Sequence, residues 1–352
     1  MHPLAFLLFP FALLFDGITR LRNFLYDLGI FKSYKSQIPS ILVGNLRVGG
    51  TGKTPMVEYL IRMLKEEQAI ATLSRGYGRK SKGFIQAKEG TNSQEIGDEP
   101  FQIFQKFQNE IRVFVGEDRS KACQRIERSS IQPDLLILDD AFQHRAFQAH
   151  FSILLSTWSH PFYEDYLLPM GRLRESRAGA KRADVVIVTK CPAGLTSSEK
   201  EAAIHHVRKY SSRQMPVLFS TIDYGLPQAM GEAVPFSSKV ILFSGIANSE
   251  ALKHYCDRNF DVLDFVEFGD HHEYDEEDLD KLRRLGANYS SDDFVFLCTE
   301  KDGVKVKNLL PNGFLGEIPI FVLPIQVMFS TEDEQKLKKL IQQKVLEDSA
   351  SA

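Results

Sequence analysis

The chain has 352 residues, enough for two or three domains. Hydrophobic residues make up 43% and charged residues 25%, an ordinary globular composition that excludes a mainly disordered, fibrous or multi-span membrane protein. With 43 Lys+Arg against 46 Asp+Glu the net charge is −3, which excludes broad electrostatic attraction to nucleic acid, and the four cysteines form no CxxC, which argues against a zinc knuckle or a disulfide framework and suits a reducing compartment.

The first fifteen residues, MHPLAFLLFPFALLF, include twelve apolar ones. A spanning helix needs about 20, and the Lys/Arg-rich start and cleavage site of a secretory signal are missing. Pro10 is expected to kink or interrupt a helix here, and Asp16-Gly17 to end the apolar run. Beyond it Ile18, Leu21, Leu25 and Leu28 recur at helical spacing with Arg20, Arg22 and Asn23 between them. Residues 1–30 therefore read as a segment that lies on a membrane surface rather than spanning it, the alternative being a helix pair packed on a core.

From Ser40 onward strands and helices alternate. Strands are expected at Ser40–Val43, Ile70–Ser74, Arg112–Val115, Leu135–Leu138, Ile153–Leu155 and Val185–Val188, with helices from Lys53 to about Glu67, at Pro100–Phe107 and at Ser120–Arg128. After the turn-rich Asp223–Pro227 come strands at Val240–Phe243, Val295–Cys298 and Ile320–Leu323 and a helix at Glu276–Leu285. This pattern predicts an α/β fold, a mostly parallel sheet flanked by helices in the manner of P-loop NTPases, with a smaller C-terminal α/β domain. The expected division is 1–30, 31–223 and 224–352.

The sharpest motif is Gly44-Asn45-Leu46-Arg47-Val48-Gly49-Gly50-Thr51-Gly52-Lys53-Thr54-Pro55, lying between an expected strand and an expected helix. That is the setting of a phosphate-binding loop, whose glycines let backbone N–H groups close around phosphate oxygens at a helix N-terminus. Gly49, Gly50, Thr51, Gly52, Lys53, Thr54 and Pro55 are the expected ATP-binding residues. Lys53 is placed to neutralise the β- and γ-phosphates, and the Thr54 hydroxyl to ligate Mg²⁺. Position 47 departs from the usual pattern, with Arg where Gly is expected.

Leu135-Leu136-Ile137-Leu138-Asp139-Asp140 is an apolar strand ending in two acids, the place where P-loop enzymes hold Mg²⁺. Asp139 and Asp140 are the expected metal carboxylates, with Asp140 also open to a role facing the substrate. Gly97-Asp98-Glu99-Pro100 sets two acids before a helix, and Phe268-Gly269-Asp270-His271-His272 sets an imidazole beside an acid. Such a pair could form a general-base dyad, although taken alone Asp98 reads as a helix cap and His271 as structural. Ser74–Arg79 and Arg172–Glu175 carry arginines suited to anions. A soluble small-metabolite kinase and a nucleotide-dependent switch are the rival readings. Against a switch, Thr189-Lys190-Cys191-Pro192 lacks the Asn and Asp of a guanine-reading motif.

In order along the chain these pieces resemble the tetraacyldisaccharide 4′-kinases of lipid A biosynthesis: G-N-x-x-x-G-G-x-G-K-T-P at 44–55, S-R-G-Y-G at 74–78, G-D-E-P at 97–100, D-R at 118–119, D-D-x-F-Q-H at 139–144, L-L-P-x-G-x-L-R-E at 167–175, V-T-K-C-P at 188–192, D-H at 270–271 and T-E-K-D at 299–302. The resemblance implies transfer of the ATP γ-phosphate, with Mg²⁺, to the 4′-hydroxyl of a tetraacyldisaccharide 1-phosphate at the cytoplasmic face of the inner membrane. It makes Asp98 the general base with His271 as its partner and Lys53 catalytic. It also gives Arg75, Tyr77, Glu99, Arg119, Gln143, His144 and Arg174 to the substrate, and it implies no protein partner. Ala141 stands where the family usually has Gly, a methyl that would strain the turn if φ there were positive.

Overall fold

A computed structural model describes residues 8–246, 249–269, 272–289 and 293–347. Nine strands form the larger sheet. In spatial order they begin at Ile325, Val217, Val185, Phe151, Ser40, Leu135, Ile70, Arg112 and Ile85. All are parallel except the two edges, Ile325–Phe329 and Ile85–Gln86. The expected α/β class holds, and the central strands are buried on both faces, as their continuous apolar runs require. Ile41, Val43, Leu135, Ile137, Ile153 and Val185 point to one side, where Met56, Val57, Leu60 and Ile61 of the helix Lys53–Leu64 pack on them. Leu42, Leu136, Leu138, Leu154 and Val186 point to the other.

The second sheet has strands Gln228–Ala229, Ile318–Leu323, Val295–Thr299, Lys239–Ser244 and Asp261–Glu267 side by side; the last four are parallel, and the short Gln228–Ala229 and Phe314–Leu315 pair antiparallel with Ile318–Leu323. The expected C-terminal unit of 224–352 is divided by this topology. After Leu323 the chain returns: Ile325–Phe329 pairs with Val217–Tyr224 on the edge of the first sheet, and the helix Thr331–Ile341 packs there through Leu337 and Ile341. Two antiparallel strands, one outgoing and one returning, thus carry the chain between the sheets.

The N-terminal helix runs unbroken from Phe9 to Asp27, against the expectation of a break. Pro10 falls in the first turn, where its missing N–H would have had no intrahelical partner and its fixed φ suits the helix. Asp16 does not end the run because its carboxylate takes Arg20 one turn on at 2.8 Å, and Thr19 bonds back to the Phe15 carbonyl at 2.9 Å. Ala12 and Thr19 are buried, whereas Phe11, Leu13, Leu14, Ile18, Leu21, Phe24 and Leu28 are exposed, Leu14 by 64%. Among the described residues no helix is long and apolar enough to cross a membrane.

Candidate active site

The buried strand Ser40–Asn45 delivers the chain to the glycine-rich loop. Gly52 sits at φ +84 directly before the helix, a left-handed conformation that only glycine adopts without strain. Lys53 and Thr54 follow as the first two helical residues, so their N–H groups have no intrahelical acceptor and face outward with the positive end of the helix dipole. Pro55 contributes no N–H and only shapes this turn. Thr51 is pinned from two sides: its hydroxyl accepts from Asn45 Nδ2 at 2.6 Å, and its carbonyl accepts from the Thr189 hydroxyl at 2.9 Å. Arg47 needs no glycine because it bridges Leu173 in extended pairing, and its Nε donates to Asp165 at 2.5 Å, away from the loop.

Strand register sets Asp139 beside Val43, at the same level as the start of this loop. Asp139 is only 3% exposed, and its Oδ1 is a buried oxygen with no hydrogen-bond partner among the described residues. Burial first and then Glu99 push its carboxyl well above the usual range, with Lys53 opposing. An orphaned buried carboxylate oxygen beside a phosphate loop fits a divalent cation that keeps most of its other ligands as water and phosphate.

Asp140, also expected at the metal, has charged partners where Asp139 has an orphaned oxygen. Its backbone takes φ +49, and its two oxygens accept a fork from Arg174 at 2.7 and 3.1 Å, with Lys53 at 3.9 Å. Burial opposes its ionisation, but Lys53, Arg174 and Arg119 outweigh that and hold it below the usual carboxylate range. Arg174 also donates to Asn45 Oδ1, so it links Asp140 to the loop instead of standing free for substrate. The left-handed turn residue is Asp140, one position before Ala141, and Ala141 itself is buried at negative φ, so the methyl there costs nothing.

A third wall comes from the helix Asp98–Phe107. Gly97, not Asp98, is its cap residue, and the Asp98 side chain makes no capping bond. Helix Glu300–Lys307 of the second sheet lies against it. Lys305 approaches Asp98 Oδ2 at 3.7 Å and donates to the His272 carbonyl at 2.7 Å, although its side chain is only 4% exposed. Lys301 stands 3.9 Å from Glu99. Asp302 binds the surrounding loops together, accepting from the Gly245 N–H at 3.0 Å and the hydroxyls of Tyr274 (2.9 Å), Ser244 (3.2 Å) and Thr299 (2.6 Å). His271, expected as the partner of Asp98, lies outside the described residues together with Asp270. The adjacent His272 turns to Asp278 at 2.7 Å and stacks on Phe268.

Of the remaining expected substrate residues, Arg75 and Tyr77 are exposed, Tyr77 by 76%. Arg119 is buried, donating to the carbonyls of Glu117 at 2.7 Å and Asp140 at 3.1 Å. His144 stands 3.8 Å from Asp118, and burial, then Arg119, push its imidazole down to about 4. Gln143 is committed to the protein: Nε2 donates to the Asn45 carbonyl at 2.8 Å and to Glu175 at 3.0 Å. The structure thus gathers Lys53, Asp139, Asp140, Glu99, Arg119 and Arg174 in one neighbourhood, with Thr54 and Asp98 next in chain to Lys53 and Glu99. Lys305, Lys301, Asn45 and Glu175 were not anticipated. Lys301 was visible only as part of T-E-K-D, and Lys305 follows that motif by three residues.

This geometry has relatives. The family model described as tetraacyldisaccharide-1-P 4′-kinase matches residues 4–346. A tetraacyldisaccharide 4′-kinase of Flavobacterium psychrophilum is 41% identical over 340 residues, 95% of each chain. One from Cytophaga hutchinsonii is 39% identical over 347 residues, 98% of this chain and 97% of its own. Among solved structures, LpxK from Aquifex aeolicus in complex with ATP is similar with a TM-score of 0.73 at 32% identity, covering 97% of this chain and 99% of that one.

Proposed function

Because the chain belongs to the tetraacyldisaccharide-1-phosphate 4′-kinase family, we infer that the residues around the cleft divide between them the parts of one phosphoryl transfer. The reaction is ATP-dependent phosphorylation of the 4′-hydroxyl of a tetraacyldisaccharide 1-phosphate, a step of lipid A biosynthesis. Gly49–Thr54 receive the triphosphate on backbone N–H groups, and Lys53 neutralises the charge of the transferring group. Asp139 and the Thr54 hydroxyl are the residues that would hold Mg²⁺, which when bound supplies charge neutralisation on the β- and γ-phosphates. Asp140 keeps Lys53 and Arg174 in place. Asp98 takes the proton of the acceptor hydroxyl, with Lys305 beside it and that lysine held by the His272 carbonyl. Arg75, Tyr77, Arg119 and His144 face the disaccharide.

The observation that supports this reading best is the partnerless, buried Asp139 oxygen with Lys53 and Glu99 both acting on that carboxylate, Glu99 being the chain neighbour of the non-capping Asp98. Transfer of labelled γ-phosphate from Mg-ATP to a tetraacyldisaccharide 1-phosphate in mixed micelles tests it, with Lys53→Ala as control. Label at the 4′-position that disappears with the control is the expected result. A folded, ATP-binding protein that labels only soluble acceptors would overturn it.

The acceptor is a membrane lipid, and the exposed apolar side of the helix Phe9–Asp27 is the surface on which the protein would lie, peripherally, at the cytoplasmic face of the inner membrane. Burying each such side chain stabilises attachment by about 1.5–3 kcal/mol. Changing Phe11, Leu14 and Ile18 together to Gln should therefore release the protein from sedimenting vesicles. Unchanged sedimentation would rule this surface out.

A further inference from the structure

Resting on the kinase reading above, we propose that Arg172 is a further catalytic residue, an arginine finger supplied by the chain itself, whose guanidinium reaches over Gly49 to the transferring γ-phosphoryl group.

Arg172 stands at an unspecified position of L-L-P-x-G-x-L-R-E, so that pattern gives it no role. Its place follows from backbone pairing. The segment Arg172–Arg174 runs antiparallel to Leu46–Val48: the Val48 N–H donates to the Arg172 carbonyl at 2.8 Å, the Arg174 N–H to the Leu46 carbonyl at 2.8 Å, and Leu173 bridges Arg47. Successive residues of an extended segment point to opposite faces. Leu173 is 1% exposed and turns into the core, so Arg172 and Arg174 share the other face. Arg174 uses that face to meet Asp140, which stands 3.9 Å from Lys53. Arg172, one alternation back, comes to the glycine-rich loop: a Cβ on Gly49 would lie 3.9 Å from its Nη1.

This guanidinium is free. The carboxylate of Asp165 accepts from the backbone N–H groups of Arg172 at 3.2 Å and Tyr166 at 2.8 Å, and from Arg47 Nε at 2.5 Å. Asp140 is taken by Arg174. Among the described residues the exposed Arg172 side chain has no ion pair or hydrogen bond. Lys190 is a second cation at the loop, 3.8 Å from a Cβ on Gly50, and burial of its ammonium lowers its pKa with no carboxylate opposing. It follows Val185–Thr189, on one side of the strand Ser40–Asn45, whereas Leu135–Asp139 and Ile70–Ser74 lie on the other, toward the Asp98 turn. Lys190 thus flanks the loop away from the proton acceptor, and Arg172 is the cation that shares a face with the Asp140–Lys53 pair.

Transfer forms a bond from the acceptor oxygen to the γ-phosphorus and breaks the one to the β,γ-bridging oxygen. The acceptor proton passes to Asp98, and ADP leaves with the bonding pair. Charge spreads meanwhile over the γ-oxygens and the bridging oxygen, where a forked guanidinium can neutralise it without first breaking an ion pair.

The test compares wild type, Arg172→Ala and Arg172→Lys in micelles carrying the acceptor, by lipid phosphorylation and by binding of Mg-ADP with and without aluminium fluoride, a planar stand-in for the transferring group. Arg172→Ala should lower kcat about a hundred- to a thousandfold and leave the ATP Kd near wild type. Arg172→Lys should recover part of the rate, having the charge but not the fork. Aluminium fluoride should tighten Mg-ADP binding to wild type, and Arg172→Ala should lose that gain while binding Mg-ADP alone as before. Added guanidinium ion at millimolar concentration should restore part of the Arg172→Ala rate, which a merely structural role would not allow. A kcat within a few-fold of wild type would overturn the proposal. So would matching losses of ATP and ADP affinity with kcat kept, which would make Arg172 a contact of the bound nucleotide rather than of the transfer. Failure of wild type to phosphorylate the lipid would overturn the kinase reading, and the finger with it.

Discussion

Gly97 joins the G-D-E-P and S-R-G-Y-G segments, and replacing it with Ala tests whether their contact sets the position of Asp98. Its backbone lies at φ +92, ψ 158, a region open essentially to glycine alone, where another residue costs about 1–3 kcal/mol. A Cβ would also stand 2.7 Å from the Tyr77 carbonyl oxygen and 3.1 Å from the Gly76 carbonyl carbon, both backbone atoms that no rotamer change can move aside. Overpacking of this kind adds about 1–3 kcal/mol. Together the two costs exceed what a single turn withstands, so the turn opens and carries the first residue of the next helix, Asp98, with it. A displacement on the order of 1 Å at a reacting group lowers turnover about a hundredfold. Gly78→Ala is the control, because Gly78 has φ +77 but open space around it and incurs only the left-handed backbone cost of about 1–2 kcal/mol. Steady-state kcat should fall about a hundredfold in Gly97→Ala and several-fold at most in Gly78→Ala, with ATP affinity near wild type in both. Equal kcat values for the two variants would refute the reasoning.

Lys305→Met should lower kcat about thirtyfold, a loss of about 2 kcal/mol for a charged hydrogen bond, while the ATP Kd stays put and Lys305→Arg recovers part of the rate; a matching loss of ATP affinity would instead assign Lys305 to the nucleotide. Asp139→Asn should raise the Mg²⁺ concentration needed for half-maximal rate at fixed ATP, whereas Asp140→Asn should act through Lys53 and Arg174 and leave that concentration close to wild type. The reverse order would exchange their roles. His144, held mainly by burial at about 4, binds a proton more readily unfolded, where its value is near 6.5. Its contribution to stability is therefore present above about pH 6.5 and is lost as the pH falls toward 4. The Tm of wild type should drop more steeply than that of His144→Gln between pH 7 and 5, and parallel curves would show that the ring is not held neutral.

What the sequence made legible was local. The strand, Gly52 turn and Lys53 helix are contiguous, so residue type and spacing were enough, and the same is true of the apolar strand that ends at Asp139. Residue type did not disclose partners. Asp139 and Asp140 looked alike in sequence, yet Arg174, arriving on a later loop, donates to both oxygens of Asp140 and to neither of Asp139. Asp16-Gly17 looked like a stop because the Arg20 bond that carries the helix through it leaves no mark in a hydrophobic pattern. Ile325–Phe329 read as part of the second unit because it follows that unit in sequence, yet its pairing with Val217–Tyr224 returns it to the first sheet.

That return has a functional consequence. Tyr224 pairs with Ile325, and the Gly225 N–H meets the Pro324 carbonyl at 2.8 Å, so the outgoing and returning strands leave the first sheet together at one corner. Lys106 binds both Glu58 at 2.7 Å and Glu300 at 2.6 Å, and Glu300 accepts from the Ile325 N–H at 3.4 Å, so helices of both sheets share one half-buried cation beside that corner. Glu300 opens the helix that carries Lys301, Asp302 and Lys305. The position of Lys305 over Asp98 is thus fixed at both ends of a single short helix, by the Lys106 pair at its start and by the His272 carbonyl near its end. At the opposite extreme of the chain, Asn23 and Arg22 tie the N-terminal helix to the Gln143–Glu175 layer beneath the cleft. The glycine-rich loop, the Asp98 turn and the N-terminal helix come from three separate stretches of sequence. They are tied together by polar side chains far apart in sequence, and for that reason pattern and spacing could name the chemistry but not assemble it.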